Sequence, residues 1–97
     1  MNIGQVIKDS RKEKGIKQGD FSNLCEISQT YLSLIESNRK EPNITTLKTI
    51  SEKLGIPLPV MFFLSLDEDD IPKRKQEIFK ALEPSIKDMI KQIYVND

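Results

Sequence analysis

Gln29, Thr30 and Ser33 are polar side chains whose spacing places them on one face of a short helix. A glutamine amide can form two hydrogen bonds to the edge of adenine, and the methyl group of threonine can contact the methyl group of thymine. An ordinary solvated helix face has the same composition, because surface helices are polar on the side that faces water. The elements that hold these residues decide between the two interpretations.

Two short helices joined by a tight turn are predicted around these residues. The first would run over 18–25 and the second over 29–37, where Ser28 is a good N-cap. Ser22 is small enough for two helices to cross closely, and Ile27 supplies an apolar side chain at the turn. The side chains predicted to be buried are Phe21, part of Leu24, Cys25, Leu32 and Ile35. A helix-turn-helix of this kind places its second helix in the major groove of DNA.

The rest of the chain up to residue 66 also has helical spacing. A first helix is predicted from Ile3 to just before Gly15, and a fourth from an Asn43 cap to Gly55. A short fifth helix would follow around 60–64, after two prolines. The inner face predicted for the fourth helix consists of Ile44, Leu47, Ile50, Ser51 and Leu54. No segment alternates apolar and polar residues as a strand does, so the predicted fold class is all-α.

Beyond residue 66 the composition changes from a packed domain to a tail. The three predicted units are a five-helix domain over 1–66, an acidic linker over 67–72 and a helical tail over 73–97. Pro84 is predicted to divide the tail into two amphipathic segments, over about 73–82 and 84–95. The complete prediction is therefore a five-helix domain followed by one or two C-terminal amphipathic helices.

Composition excludes several classes of site. The 97 residues include no histidine, which excludes histidine-dependent zinc sites and serine–histidine or cysteine–histidine catalysis. The single cysteine, Cys25, is expected to be a small core residue. Neither a phosphate-cradling glycine loop nor a convergent carboxylate pair is evident, so we expect no enzyme, metal or cofactor. No signal peptide or membrane segment is recognisable, and a cytoplasmic location is expected.

The chain resembles the phage-repressor and Cro type of helix-turn-helix proteins, often called the XRE family. The resemblance is carried by RKEKGIKQGDF at 11–21, ISQTYLSLIE at 27–36 and NRKEPNITTLKTISEKLGI at 38–56. It extends from about Ile3 to Phe63. It implies a domain of five helices whose third helix enters the major groove of double-stranded DNA.

The resemblance also implies roles for single residues. Gln18 would contact a phosphate and brace the third helix, and Arg11 would form an ion pair with Glu36 that links the first and third helices. The DNA-contacting residues that it implies are Gln18, Ser28, Gln29, Thr30, Tyr31, Ser33, Asn38, Arg39 and Lys40. Among these, Gln29, Thr30 and Ser33 fall where base contacts occur, and the last three lie in a loop that contacts the DNA backbone.

Three residues depart from the family pattern. Lys17 stands where the family has a serine or threonine N-cap, and Gly19 inside the second helix costs about 1 kcal/mol relative to alanine. Glu26 stands where glycine is common because a positive φ is favoured, which costs on the order of 1 kcal/mol. We therefore expect a marginally stable second helix.

A homodimer is expected because one small module binds DNA weakly. The Kd for non-specific DNA binding is about 10⁻⁴–10⁻⁶ M at physiological salt. Linking two copies raises the affinity by roughly 10²–10⁴-fold. The short fifth-helix segment carries more apolar residues than a small helix can bury, which favours a shared interface there and on the tail. The predicted dimer interface consists of Phe62, Phe63, Leu66, Ile78, Phe79, Leu82, Ile86, Ile90 and Ile93.

Two other functions remain open at this stage. The chain could be an antitoxin or a restriction–modification controller whose tail binds a partner protein. It could instead be a protein-interaction module that keeps the fold and no longer binds DNA. An antitoxin tail should stay mobile until its toxin binds, whereas a dimerisation tail should be ordered in the free protein. We expect a sequence-specific transcriptional regulator that binds an inverted-repeat operator, with repression as the expected effect and activation as the alternative.

Overall fold

The computed structural model describes residues 1–94, which form six α-helices and two short 3₁₀ turns. The helices are α1 (Ile3–Glu13), α2 (Gln18–Leu24), α3 (Gln29–Glu36), α4 (Ile44–Leu54), α5 (Leu58–Leu64) and α6 (Gln76–Tyr94). The 3₁₀ turns are Glu68–Asp70 and Lys73–Lys75. No strand occurs within residues 1–94, so the all-α prediction is confirmed. None of the helices in this part of the chain is long and apolar enough to cross a bilayer.

Local signals set the helix ends. The side chains of Ser28 and Asn43 accept hydrogen bonds from backbone N–H groups in the first turns of α3 and α4. Asn38 has a φ of 59° just after α3, and Gly55 has a φ of 70° at the end of α4. Glu26 adopts the positive φ predicted for its position, at 57°. The ends of α3 and α4 therefore lie where the local sequence favours them.

The core lies between α1, α3 and α5, with α2 packed on α3 and α4 packed on α5. Its fully buried apolar side chains include Ile7, Phe21, Leu32, Ile35, Ile50, Leu54, Ile56 and Met61. Cys25 is also buried, as predicted, and burial raises the pKa of its thiol to about 11. Ile44 was wrongly placed on the inner face of α4, since it is 54% exposed. It is the first residue of that helix, and burial begins one turn later at Leu47.

The acidic segment after α5 has local structure. The Asp70 carboxylate accepts a hydrogen bond from the Asp67 backbone N–H at 2.8 Å, and Asp67 caps the 3₁₀ turn in return. The Met1 amino group lies 2.9 Å from the Asp70 carboxylate. Most of this segment is exposed. The division into a domain over 1–66, a linker over 67–72 and a tail over 73–97 stays a prediction.

The tail forms one helix rather than two. Pro84 lies inside α6, so the predicted break there was wrong. Proline removes one intrahelical hydrogen bond, but Lys87 pairs with the Glu83 carboxylate at 2.9 Å and so links the residues on either side of it. Lys87 also donates to the Leu66 carbonyl oxygen at 3.1 Å, which ties α6 to the chain just after α5. Residues 95–97 of the predicted tail lie outside the described residues.

Candidate nucleic-acid interface

One face of α3 is buried and the opposite face is exposed. Leu32 and Ile35 point into the core with almost no exposure. Gln29, Thr30 and Ser33 lie on the exposed side. The division follows from helical periodicity, because residues three or four apart share a face. The three predicted base-contacting residues are therefore placed together and accessible.

Gln18 lies beside this exposed face. Together with the three polar side chains of α3 and Leu34, it lines a shallow, open cleft between α2 and α3. Ser28 is also exposed, but its hydroxyl accepts a hydrogen bond from the Tyr31 backbone N–H at 3.0 Å. Leu34 was not predicted at the site. Its position four residues after Thr30, on the same side of the helix, is the signal that could have indicated it.

A chain of hydrogen bonds connects the core to the cleft. Arg11 and Glu36 form two parallel bonds, Nε to Oε2 at 2.8 Å and Nη2 to Oε1 at 3.0 Å, with side chains only 7% and 2% exposed. Gln18 donates from Nε2 to Glu36 Oε1 at 3.1 Å. Gln29 donates in turn from Nε2 to Gln18 Oε1 at 3.4 Å. Gln18 therefore connects the expected Arg11–Glu36 pair to Gln29, one of the predicted base-contacting residues.

The loop after α3 has two exposed cations. Arg39 and Lys40 are exposed, and neither forms an ion pair within residues 1–94. The Lys40 ammonium group lies 5.5 Å from the centre of the Tyr31 ring, within the range of a cation–π interaction. Such cations, held near a polar helix face, are suited to phosphate groups.

Asn38 has a different environment from the rest of the loop. Its Oδ1 accepts a hydrogen bond from the Gly4 backbone N–H at 3.1 Å, and its Nδ2 donates to Asn2 Oδ1. Both ends of its amide are therefore used to fasten the loop to the start of α1. The structure assigns this side chain a positioning contact that sequence spacing did not indicate.

Comparison with known families and proteins fits this geometry. Residues 7–61 match the helix-turn-helix family. The chain belongs to the XRE-type helix-turn-helix family of transcriptional regulators. An immunity repressor protein of Bacillus phage phi105 is 34% identical over 97 aligned residues, which cover 88% of this chain and 67% of the relative.

Two further relatives align with this helix-turn-helix chain over a shorter region. The ImmF control region 10 kDa protein of the same phage is 41% identical over 59 residues, 61% of this chain and 66% of the relative. An uncharacterised HTH-type transcriptional regulator of Bacillus subtilis strain 168, YqaF, is 32% identical over 56 residues, 58% of this chain and 74% of the relative. The chain spans about two thirds of the length of each phage relative.

The residues predicted at the dimer interface of this regulator fall into two sets. Ile78, Leu82 and Ile93 are more than half exposed on α6 and share that face with Met89. The other six are partly buried within their own chain, and Phe62 packs against the core. Met89 was not predicted, although its place seven residues after Leu82 puts it on the same face. We call these four exposed residues of α6 the outer stripe.

Proposed function

We propose that this regulator binds an inverted-repeat operator in double-stranded DNA as a homodimer and represses transcription there. The observation that carries the proposal is the exposed face of α3, where Gln29, Thr30 and Ser33 stand together beside Gln18. A helix of this kind fits the major groove, in which each base pair presents a distinct pattern of donors and acceptors. The name of the phage immunity repressor supports repression rather than activation.

Base contacts and phosphate contacts would come from different elements. The side chains of α3 would meet base edges, with Gln29 pairing with adenine and Thr30 contacting a thymine methyl group. Arg39 and Lys40 would contact phosphates at one end of the helix, because they are exposed and free of ion pairs within the described residues. Exposed acids at Glu26 and Glu41 would limit non-specific affinity.

The outer stripe supports a homodimer. Ile78, Leu82, Met89 and Ile93 recur at helical spacing and leave apolar surface exposed in a single chain. In the single chain α6 is a continuous helix, and Lys87 ties it to Leu66, just after α5. An ordered tail favours a dimerisation element over an antitoxin tail that folds only on its toxin. Two recognition helices about 34 Å apart would then read the two half-sites.

Selection of bound sequences from a random DNA pool tests this proposal. The full chain should enrich an inverted repeat whose half-sites are centred about 10–10.5 bp apart or a multiple of that distance. Gln29→Ala should relax the base preference at one position in each half-site. Arg39→Ala should keep the preferred sequence, weaken binding to all sequences, and lower the slope of the salt dependence by about one.

The matched pair of variants separates base contacts from phosphate contacts. Enrichment of no sequence by the wild-type chain would exclude the operator-binding proposal. Enrichment of a single asymmetric site would exclude the homodimer while keeping the base contacts.

A further inference from the structure

The buried carboxylate of Glu36 fixes the direction of the neighbouring Gln18 amide. An ionised carboxylate can only accept hydrogen bonds. Its Oε1 atom accepts from Arg11 and also from Gln18, whose Nε2 lies 3.1 Å away. The Gln18 side chain must therefore turn its NH₂ group towards Glu36 and its oxygen away from it.

The direction of the Gln18 amide fixes that of Gln29 in turn. Gln18 Oε1 faces the cleft and accepts from Gln29 Nε2 at 3.4 Å. The Gln29 oxygen, which lies beside Gly19, and its second N–H form no hydrogen bond within residues 1–94 and are left for a ligand. Without the Glu36 carboxylate, the amides of Gln18 and Gln29 could rotate by 180° and exchange their donor and acceptor ends.

We infer that Glu36 is a positioning residue for base selection, which acts through Gln18 to make Gln29 select adenine over guanine. The inference rests on the proposed function. Adenine presents a donor and an acceptor in the major groove, whereas guanine presents two acceptors. A Gln29 amide whose oxygen is held towards the base matches adenine and repels guanine. A freely rotating amide can turn its NH₂ group to guanine and so discriminates less.

A double variant, Arg11→Met together with Glu36→Met, tests the inference because it removes the acceptor that orients Gln18 without leaving a buried charge unpaired. The Gln29→Ala selection first identifies the base pair that faces Gln29, and affinities are then measured for operators with adenine or guanine there. The double variant should lose about tenfold of the adenine-to-guanine preference, the size of one good bidentate contact. Glu41→Gln is the matched control, since it removes an exposed acid outside the hydrogen-bond chain. It should change affinity for both operators alike.

A second variant keeps the test decisive if the double variant does not fold. Gln18→Met leaves the Arg11–Glu36 pair intact and breaks the link to Gln29, so the preference should again fall about tenfold. An unchanged ratio in a folded double variant, or in Gln18→Met, would overturn the inference. A wild-type chain that shows no base preference opposite Gln29 would instead overturn the proposed base contact itself. The two failures are therefore distinguishable.

Discussion

Gly4 lies where the start of α1 meets the end of α3. A Cβ atom at this position would lie 2.2 Å from the Ile35 carbonyl oxygen and 2.6 Å from Asn38 Oδ1. The carbonyl belongs to the backbone of α3, so it cannot move away without shifting the helix that carries the proposed base contacts. The absence of a side chain at Gly4 is therefore a requirement of this crossing.

We predict that Gly4→Ala destabilises the protein by about 1–3 kcal/mol, as overpacking does. This cost should exceed the gain of about 1 kcal/mol that alanine brings inside a helix. Gly19→Ala is the matched control, because its Cβ would meet only the flexible end of Gln29, at 3.2 Å. Urea unfolding should show a lower free energy of unfolding for Gly4→Ala than for the wild-type chain, and no comparable decrease for Gly19→Ala. Equal stability of the two variants would contradict the close approach at Gly4.

At the residue scale, local spacing predicted some of the candidate site and not the rest. The shared exposed face of Gln29, Thr30 and Ser33 follows from helical periodicity alone. The internal bonds of Asn38 do not, because its partners Asn2 and Gly4 lie 36 and 34 residues away in the chain. Contacts at such sequence separation depend on how α1 packs on α3, which no local pattern encodes.

The helices α2 and α3 begin in nearly the same backbone conformation but with different caps. Lys17 has φ −69° and ψ 149° and makes no side-chain cap hydrogen bond. Ser28 has φ −70° and ψ 152° and caps α3 through its hydroxyl. Because serine fits this geometry at Ser28, it should fit equally well at Lys17.

We predict that Lys17→Ser stabilises the protein by about 1 kcal/mol and that Ser28→Ala destabilises it by about the same amount. Lys17→Ser would add a hydrogen bond to a backbone N–H group at the start of α2, and Ser28→Ala would remove one at the start of α3. The midpoint of urea unfolding should therefore move in opposite directions. A Lys17→Ser variant no more stable than wild type would show that a missing cap does not limit α2.

At the element scale, the helices with local start and stop signals were predictable. Ser28, Asn43 and Gly55 mark helix ends by their own chemistry. The continuity of α6 through Pro84 was not predictable, because it depends on what lies either side of the proline. Lys87 supports the helix there by pairing with Glu83 and by donating to the Leu66 carbonyl oxygen. The contact with Leu66 is tertiary, so no local pattern predicts it.

At the scale of the whole molecule, residues 1–94 present two separate candidate binding surfaces, the exposed face of α3 and the outer stripe of α6. If the outer stripe joins two copies, a charge at its centre should separate them. We predict that Leu82→Asp is monomeric at micromolar concentration, where the wild-type chain sediments as a dimer. Operator affinity should fall by roughly 10²-fold or more as the two half-sites become independent.

Leu24→Asp is the control for this prediction. Leu24 is 50% exposed on α2, outside the outer stripe, so the same change there should leave the dimer intact. A Leu82→Asp variant that still sediments as a dimer would place the interface elsewhere. A wild-type chain that is monomeric at micromolar concentration would remove the homodimer from the proposal.

The contact of α3 with DNA is tested most directly by NMR chemical-shift changes on adding the selected operator duplex to the full chain. The largest changes are predicted for the side-chain amides of Gln18 and Gln29 and for the backbone of Thr30 and Ser33, followed by Arg39 and Lys40. The outer stripe should change little, because it would already be covered by the second copy. Large changes confined to α6, with α3 unaffected, would contradict the account.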